Sequence, residues 1–288
     1  MKYLFFTLIV FTFTAVYAVL VLLGGTDANQ SKLFKHIFVA AFAIQWLAFM
    51  PAFFLKTEKF YDLTGSLTYI SIFIYSLFVT DSFQDFKLGN LIIATAVLLW
   101  AVRLGSFLFM RIIKTGKDQR FDSIKVSFAQ FLMTWTLQGM WVFICSSSAL
   151  VAISSSSGAI VNYLFGIGLT VFVIGWLIEV IADNQKSAFR AIEKNKDRFI
   201  NQGLWARSRH PNYFGEITLW LGIAVMSVPS FSGMNYLALF SPVFTYLLLN
   251  YVSGIRLLEA RANKKWGHLE DYQLYLNVTP KLIFRLFK

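Results

Sequence analysis

Apolar residues in this chain come in unbroken runs of about 20, separated by short polar or basic stretches, with no strict alternation. An α-helix rises 1.5 Å per residue, so about 20 residues cross the roughly 30 Å hydrocarbon layer of a bilayer. Only helices and closed barrels satisfy their own backbone in lipid, and continuous runs do not fit a barrel. The pattern predicts about eight spans, over residues 3–23, 33–55, 63–79, 88–110, 127–153, 160–182, 212–228 and 236–254. The third is the weakest, being short and carrying Ser, Thr and Tyr. The serines at 146–148 and 154–157 read as the polar turn between spans five and six. After the last span, the stretch with Arg256, Glu259, Asn263, Trp266, Gly267, Tyr272 and Tyr275 reads as a cytoplasmic amphipathic helix. The expected fold class is all-α, a polytopic transmembrane helical bundle with cytoplasmic loops. Val16, Tyr17 and Ala18 resemble a signal-peptide cleavage site, which leaves a cleaved first span as an alternative, although the apolar run continues to Leu23.

Composition agrees with the pattern. The 288 residues are 57% hydrophobic and 18% aromatic, with a mean hydropathy of +0.61. A net charge of +11 would suggest nucleic acid in a soluble protein. Here its distribution points to membrane topology, with no nucleic-acid partner. Eight spans place 22 Lys and Arg on one face and only Lys32, Lys35 and Lys87 on the other, with Arg103 inside a span. The positive-inside rule then puts both termini in the cytoplasm. Arg103 needs an internal partner or must snorkel to the surface. A single cysteine, Cys145, excludes an intramolecular disulfide framework, and His36, His210 and His268 lack metal-ligand spacing. Gly166 and Gly168 lie inside an apolar helix with no strand before them, so they read as close helix packing and not a nucleotide loop.

Two constellations stand out. In the first, Arg207, Arg209 and His210 precede Pro211 at the mouth of an apolar helix. Proline suits the first helical position, so His210 becomes the expected cap, and the free N–H groups of that turn favour an anion. Asn212, Glu216 and Trp220 follow at four-residue steps on one face, beside Tyr213. In the second, Glu179, Asp183, Lys186 and Arg190 form one stripe at the end of the sixth span. That stripe is either a solvated, ion-paired helix end or the wall of an aqueous cavity. The loop from Arg111 to Asp122 carries Gly116 among basic residues, which suits phosphate contact or plain flexibility. Arg256 and Glu259, one turn apart, are placed to pair with each other or with the 207–216 segment.

At these residues the chain resembles the steroid 5-alpha-reductase superfamily. It is most similar to bacterial membrane proteins with a steroid 5-alpha-reductase C-terminal-like domain. The resemblance rests on Glu179, Asp183, Gln185, Lys186 and Phe189, then Gly203, Leu204 and Trp205, and the run from Ser208 to Glu216. Ser253, Gly254, Ile255, Leu257, Leu258, Glu259, Trp266, Gly267, Thr279 and Pro280 extend it. It is strongest in the C-terminal half and looser at Asp62–Gly65 and Gly116–Phe121. Isoprenylcysteine carboxyl methyltransferases carry a similar Arg-His-Pro run and are a more distant likeness. The resemblance implies residues 1–125 as N-terminal transmembrane helices on the substrate side and 126–288 as the membrane domain holding the cofactor.

It further implies an integral membrane oxidoreductase that transfers hydride from NADPH to the activated C=C bond of a steroid-like, isoprenoid or enoyl lipid. The resemblance implies cofactor contacts for Asp183, Arg190, Asn212 and Glu216; the two constellations and the Arg256–Glu259 turn extend the expected cofactor set to Glu179, Arg207, Arg209, His210, Tyr213, Trp220, Arg256 and Glu259. Steroid reductases carry an acid before Leu-Pro in an early span, whereas this chain has Ala48, Phe49, Met50 and Pro51. Asp62 and Tyr69, seven residues apart, are instead the expected catalytic pair, able to hydrogen-bond a developing enolate. They read equally as a helix-start Asp and a packed Tyr. A lipophilic substrate would enter from the bilayer, among membrane lipids, with the bacterial inner membrane as the expected location. The alternatives are an S-adenosylmethionine-dependent membrane methyltransferase and a non-catalytic lipid-binding protein.

Overall fold

In the computed structural model, residues 1–23, 28–80 and 87–285 are described, and the side chains of 28 and 29 are left aside. Ten α-helices appear among these residues, with no strand: α1 (Lys2–Leu22), α2 (Ala28–Phe54), α3 (Tyr61–Thr80), α4 (Leu88–Thr115), α5 (Phe128–Ser154), α6 (Tyr163–Ala191), α7 (Pro211–Ser227), α8 (Phe240–Leu247), α9 (Ile255–Trp266) and α10 (Glu270–Val278). The expected all-α membrane bundle is what the chain forms. Seven helical runs are long and apolar enough to cross a bilayer. The 17-residue α7 is not one of them; at 1.5 Å per residue it is about 26 Å long. The last predicted span is not one regular helix. It passes from a 3₁₀ run at Gly233–Leu239 through α8 to a π turn at Leu248–Val252. Pro242 cannot donate to the helical ladder there, and Ser253 N–H reaches five residues back to Leu248 O at 3.0 Å.

Packing divides the chain into two units, residues 1–166 with 224–241, and residues 167–223 with 242–288. The 125/126 division follows the reach of a motif; these boundaries follow contacts.

α5 is the axis of the first unit. Lipid is as apolar as leucine, so burying apolar area does not by itself hold helices together, and polar pairs and close packing must contribute. Tyr17 OH and Ser147 Oγ, 2.7 Å apart, join α1 to α5. Ser148 Oγ donates to Ala238 O at 2.6 Å and lies 2.9 Å from Ser241 Oγ. Ser146, Ser147 and Ser148 are therefore buried inside α5, and not part of the turn, which comprises Ser155–Gly158. Their small side chains permit this, and Ser147 also returns a bond to Ile144 O at 2.7 Å. Gln45 Nε2 donates to Thr68 Oγ1 at 2.8 Å, Trp46 Nε1 to Thr136 Oγ1 at 3.0 Å, and Tyr61 OH to Thr134 O at 3.0 Å. These tie α2 to α3, α2 to α5, and α3 to α5.

Where the α2–α3 and α4–α5 connections meet, Phe49, Phe121, Phe131 and Trp135 form an aromatic core with Tyr61 against it. Above it, the buried Glu58 carboxylate accepts from Asp118 N–H at 2.8 Å and from Lys125 Nζ at 2.7 Å. Removing the carboxylate strands both donors. Glu58→Leu should lower unfolding stability by about 3 kcal/mol, and Glu58→Leu with Lys125→Met should recover part of it. Thermal unfolding of the four proteins of this cycle in detergent checks the coupling.

Candidate functional site

The second unit starts from a helix crossing built on glycine. A β-carbon on Gly215 would stand 2.6 Å from Glu179 N, and one on Gly175 would stand 2.4 Å from Leu219 N. Seven residues further along α7, a β-carbon on Gly222 would stand 2.4 Å from Phe172 N and 2.7 Å from Gly168 O. α6 and α7 thus touch backbone to backbone at two levels, as small residues allow. Gly168 does what the sequence suggests; Gly166 has open space where its β-carbon would be. The crossing lays the start of α7 on α6 at Glu179. The acids Glu179, Asp183 and Glu216 are all buried, as is Trp220 at the next step along α7.

The segment leading into α7 is braced from both sides. Gly203 has a φ of +61°, which favours glycine, and a β-carbon there would push on the Gln185 amide 2.6 Å away. Gln185 Oε1 accepts from Leu204 N–H at 2.9 Å, and Trp205 Nε1 donates to Ala182 O at 3.0 Å. Lys186 Nζ lies 4.4 Å from the Trp205 ring centre. From the other side the C-terminal tail clasps residues 205–209. Tyr275 OH donates to Trp205 O at 2.7 Å and Ser208 Oγ to Leu282 O at 2.8 Å. Arg209 N–H bonds Pro280 O, and Arg285 N–H bonds Arg207 O, both at 2.9 Å.

These braces aim Arg209 and His210 at α9. Arg209 Nη1 lies 3.1 Å from Glu259 Oε1, and His210 Nε2 lies 3.3 Å from the same oxygen. Glu259 therefore pairs with the 207–216 segment, one of the two arrangements its position allowed. Arg209 Nε is buried with no hydrogen-bond partner. The His210 ring stacks on Tyr213 with centres 5.9 Å apart. Burial pushes the His210 pKa below its ordinary value despite the hydrogen bond to Glu259. His210 is accordingly neutral near pH 7 and donates Nε2–H to the carboxylate. Arg190, Arg207 and Arg256 are exposed, and Asn212 is half-buried. α9 and α10 are separate helices broken at Gly267, where a single amphipathic helix was expected.

Asp62 and Tyr69 belong to the first unit. Asp62 sits in the first turn of α3, with Arg120, Arg111 and Asp118 as its charged neighbours. Tyr69 is buried edge-on between Trp100 and Trp141, with ring centres 5.1 and 5.2 Å away. Seven residues of helix separate the two by about 10 Å along the axis. Arg103 lies on α4 over the Phe107 ring, 5.1 Å from its centre. In the loop from Arg111 to Asp122, which suited phosphate contact or plain flexibility, basic residues are paired with the loop's own acids. Asp118 caps a short 3₁₀ turn, and its carboxylate accepts from Arg120 N–H at 2.9 Å and Arg120 Nε at 2.8 Å. Sequence reasoning missed Glu58 and the tail clasp; Gln185 stood in the motif without its bond to Leu204 N–H. Glu58 gave no local signal, because its partners Asp118 and Lys125 lie 60 and 67 residues away in the chain. Among the described residues, no group of three or more His, Cys, Asp or Glu side chains is placed to hold a metal.

Residues 48–279 match a protein family of unknown function, designated DUF1295. The chain belongs to that family. Among curated proteins, it is similar to a probable O-methyltransferase, ustE, of Ustilaginoidea virens, with 25% identity over 95 residues. The matched stretch covers 33% of this chain and 33% of that relative. No solved structure matches. This DUF1295 chain therefore has an enzyme among its distant relatives.

The buried His210 gives the DUF1295 site a pH dependence. Its folded pKa lies below the unfolded value of about 6.5. The unfolded chain takes up the proton first on acidification, so His210's contribution is intact above about pH 6.5 and is lost as pH falls below it. Melting temperature in detergent should drop between about pH 7 and 5.5, and His210→Gln should flatten that slope.

Proposed function

We propose that the second unit binds a nucleotide cofactor at the start of α7 and that the protein is a membrane-embedded, NADPH-dependent reductase of a lipophilic substrate with an activated double bond. The observation that carries this reading is Arg209. Its guanidinium is held by one carboxylate on α9, its Nε–H is buried without a partner, and it opens a helix whose first N–H groups have no helical acceptor. An anionic group fits that donor set. NADPH, when bound, supplies hydride. Arg209 and Arg207 would hold its phosphates, with Arg190 and Arg256 as exposed cations able to reach the adenosine end. Asp183, Asn212 and Glu216 would orient ribose hydroxyls and the amide. Glu179 and Trp220 would close the apolar side, and Tyr213 with neutral His210 would form the entry wall. Asp62 and Tyr69 are proposed, on their chemistry alone, as substrate-contacting groups at two levels of α3, with Tyr69 the hydrogen-bond donor to the substrate oxygen.

The second reading is a methyltransferase using S-adenosylmethionine, favoured by the description of the fungal relative. S-adenosylmethionine lacks phosphates but carries a carboxylate and an ammonium group, which Arg209 and the buried acids would also suit.

A ligand that binds only the native state stabilises it by mass action, by about 2.7 kcal/mol at 100 times its Kd, and so raises its melting temperature. NADPH should raise the melting temperature of the detergent-purified protein, and S-adenosylmethionine should not. Arg209→Ala and Asn212→Ala should each weaken NADPH at least tenfold while leaving the ligand-free protein folded. A shift with S-adenosylmethionine alone would replace the first reading with the second. Unchanged NADPH affinity in both variants would remove the site.

Tyr69→Phe separates the first unit's role from cofactor binding. Once a substrate is found, this variant should turn over at least tenfold more slowly with NADPH affinity unaltered, as expected for losing one hydrogen bond to developing charge.

A further inference from the structure

A cavity lies in the first unit. It has a volume of about 560 Å³, lies between α2 and α3, and is lined by His36, Val39, Ala40, Ser71, Ile72 and Tyr75. That volume falls within the roughly 300–1,000 Å³ of small-ligand sites. Its walls are almost wholly apolar, and it opens sideways: Val39 is 63% exposed and Tyr75 is 37% exposed. Both lie on helices long and apolar enough to span a membrane, so the mouth of the groove faces lipid.

One polar device sits in it. His36 Nδ1 and Tyr75 OH form a short hydrogen bond that links α2 to α3 across the groove. Their rings are tilted at 5.9 Å between centres. With Nδ1 engaged, Nε2 is the free edge of an exposed imidazole. An imidazole facing hydrocarbon is unfavourable unless a polar partner reaches it.

The sequence places charge where such a partner would come from. Lys32 is four residues before His36, and Lys35 is four before Val39, so both lysines continue the two rows of α2 that line the groove. Both are exposed. They lie toward the start of α2, at one end of a membrane span, where phosphate groups are found. The membrane face to which the charge pattern assigns them carries only one other lysine, Lys87. Two of its three cations therefore flank this one groove.

We infer that the α2–α3 groove is a lateral binding site for an anionic phospholipid, with an acyl chain against Val39, Ala40 and Ile72 and the headgroup phosphate on Lys32, Lys35 and the free edge of His36. The lysines supply charge attraction of about 1 kcal/mol each at a membrane surface. The groove supplies the selectivity for position. This site is independent of the cofactor reading, since none of its residues belongs to the second unit.

Native mass spectrometry of the full chain in detergent, with phosphatidylglycerol and phosphatidylcholine of identical acyl chains, tests the assignment. Phosphatidylglycerol should be retained at least fivefold better. Lys32→Gln with Lys35→Gln should abolish that preference. Val39→Trp should fill the groove and lower retention of both lipids at least fivefold. All these positions are exposed, and unchanged melting temperatures in delipidated detergent verify that the variants are folded. Equal retention of the two lipids overturns the proposal, as does a phosphatidylglycerol preference that survives the lysine replacements. Retention unaffected by Val39→Trp would place the lipid elsewhere and overturn it too.

Discussion

The candidate cofactor site depends on the backbone contact between α6 and α7. Four glycines make it: Gly168 and Gly175 on one helix, Gly215 and Gly222 on the other, each pair seven residues apart. In water such a contact would be a small part of a hydrophobic core. In a bilayer, where apolar burial between helices gains little, close approach of the two backbones is itself a main source of attraction. It also fixes position. A residue one turn from a backbone contact has little freedom to drift, and Glu179 is one turn from Gly175 while Glu216 directly follows Gly215. The buried acids therefore face their neighbours from a rigid mount, on regular helix and not on loop.

The first unit solves the same problem by other means. Its helices are joined by hydroxyl and amide pairs placed along α5 and α2, each linking two helices: Tyr17 with Ser147, Gln45 with Thr68, Trp46 with Thr136. Each such bond contributes only about 1 kcal/mol in a membrane, but they also specify rotation and depth, which apolar surfaces alone do not. At the end where α2 and α3 connect, the buried ion pair of Glu58 and Lys125 fastens two loops over an aromatic core. One unit is held by backbone proximity and the other by side-chain pairing.

Much of this was legible in the sequence. Run length and the absence of alternation gave the helical membrane class, because a bilayer leaves few other solutions. The His210–Pro211 junction announced a helix start, and α7 begins at Pro211. Glu259 could pair with Arg256 or with the 207–216 segment, and it takes the second. Other features were not legible, for physical reasons. Hydropathy does not distinguish α-helix from 3₁₀ or π geometry, so residues 236–254 looked uniform although their backbone changes type twice. Ser146–Ser148 looked like a turn because serine is polar, yet a small hydroxyl can return its hydrogen bond to its own helix. The basic loop from Arg111 to Asp122 suited phosphate or plain flexibility equally, and its Arg120 is paired with Asp118. Only three-dimensional proximity separates a cation that awaits a ligand from one that already has an acid.

The clasp between the tail and residues 205–209 is made largely by main-chain atoms, with Arg209 N–H on Pro280 O and Arg285 N–H on Arg207 O. Every residue except proline offers the same N–H, and every residue offers the same carbonyl. Such bonds are blind to side-chain identity but not to spacing. The main-chain bonds of residues 280–285 therefore survive most substitutions, whereas one inserted or deleted residue between α10 and Pro280 would slide the tail out of step with the arginines it supports. Side chains add to the clasp, with Phe284 edge-on to Phe214, but its register is a matter of length.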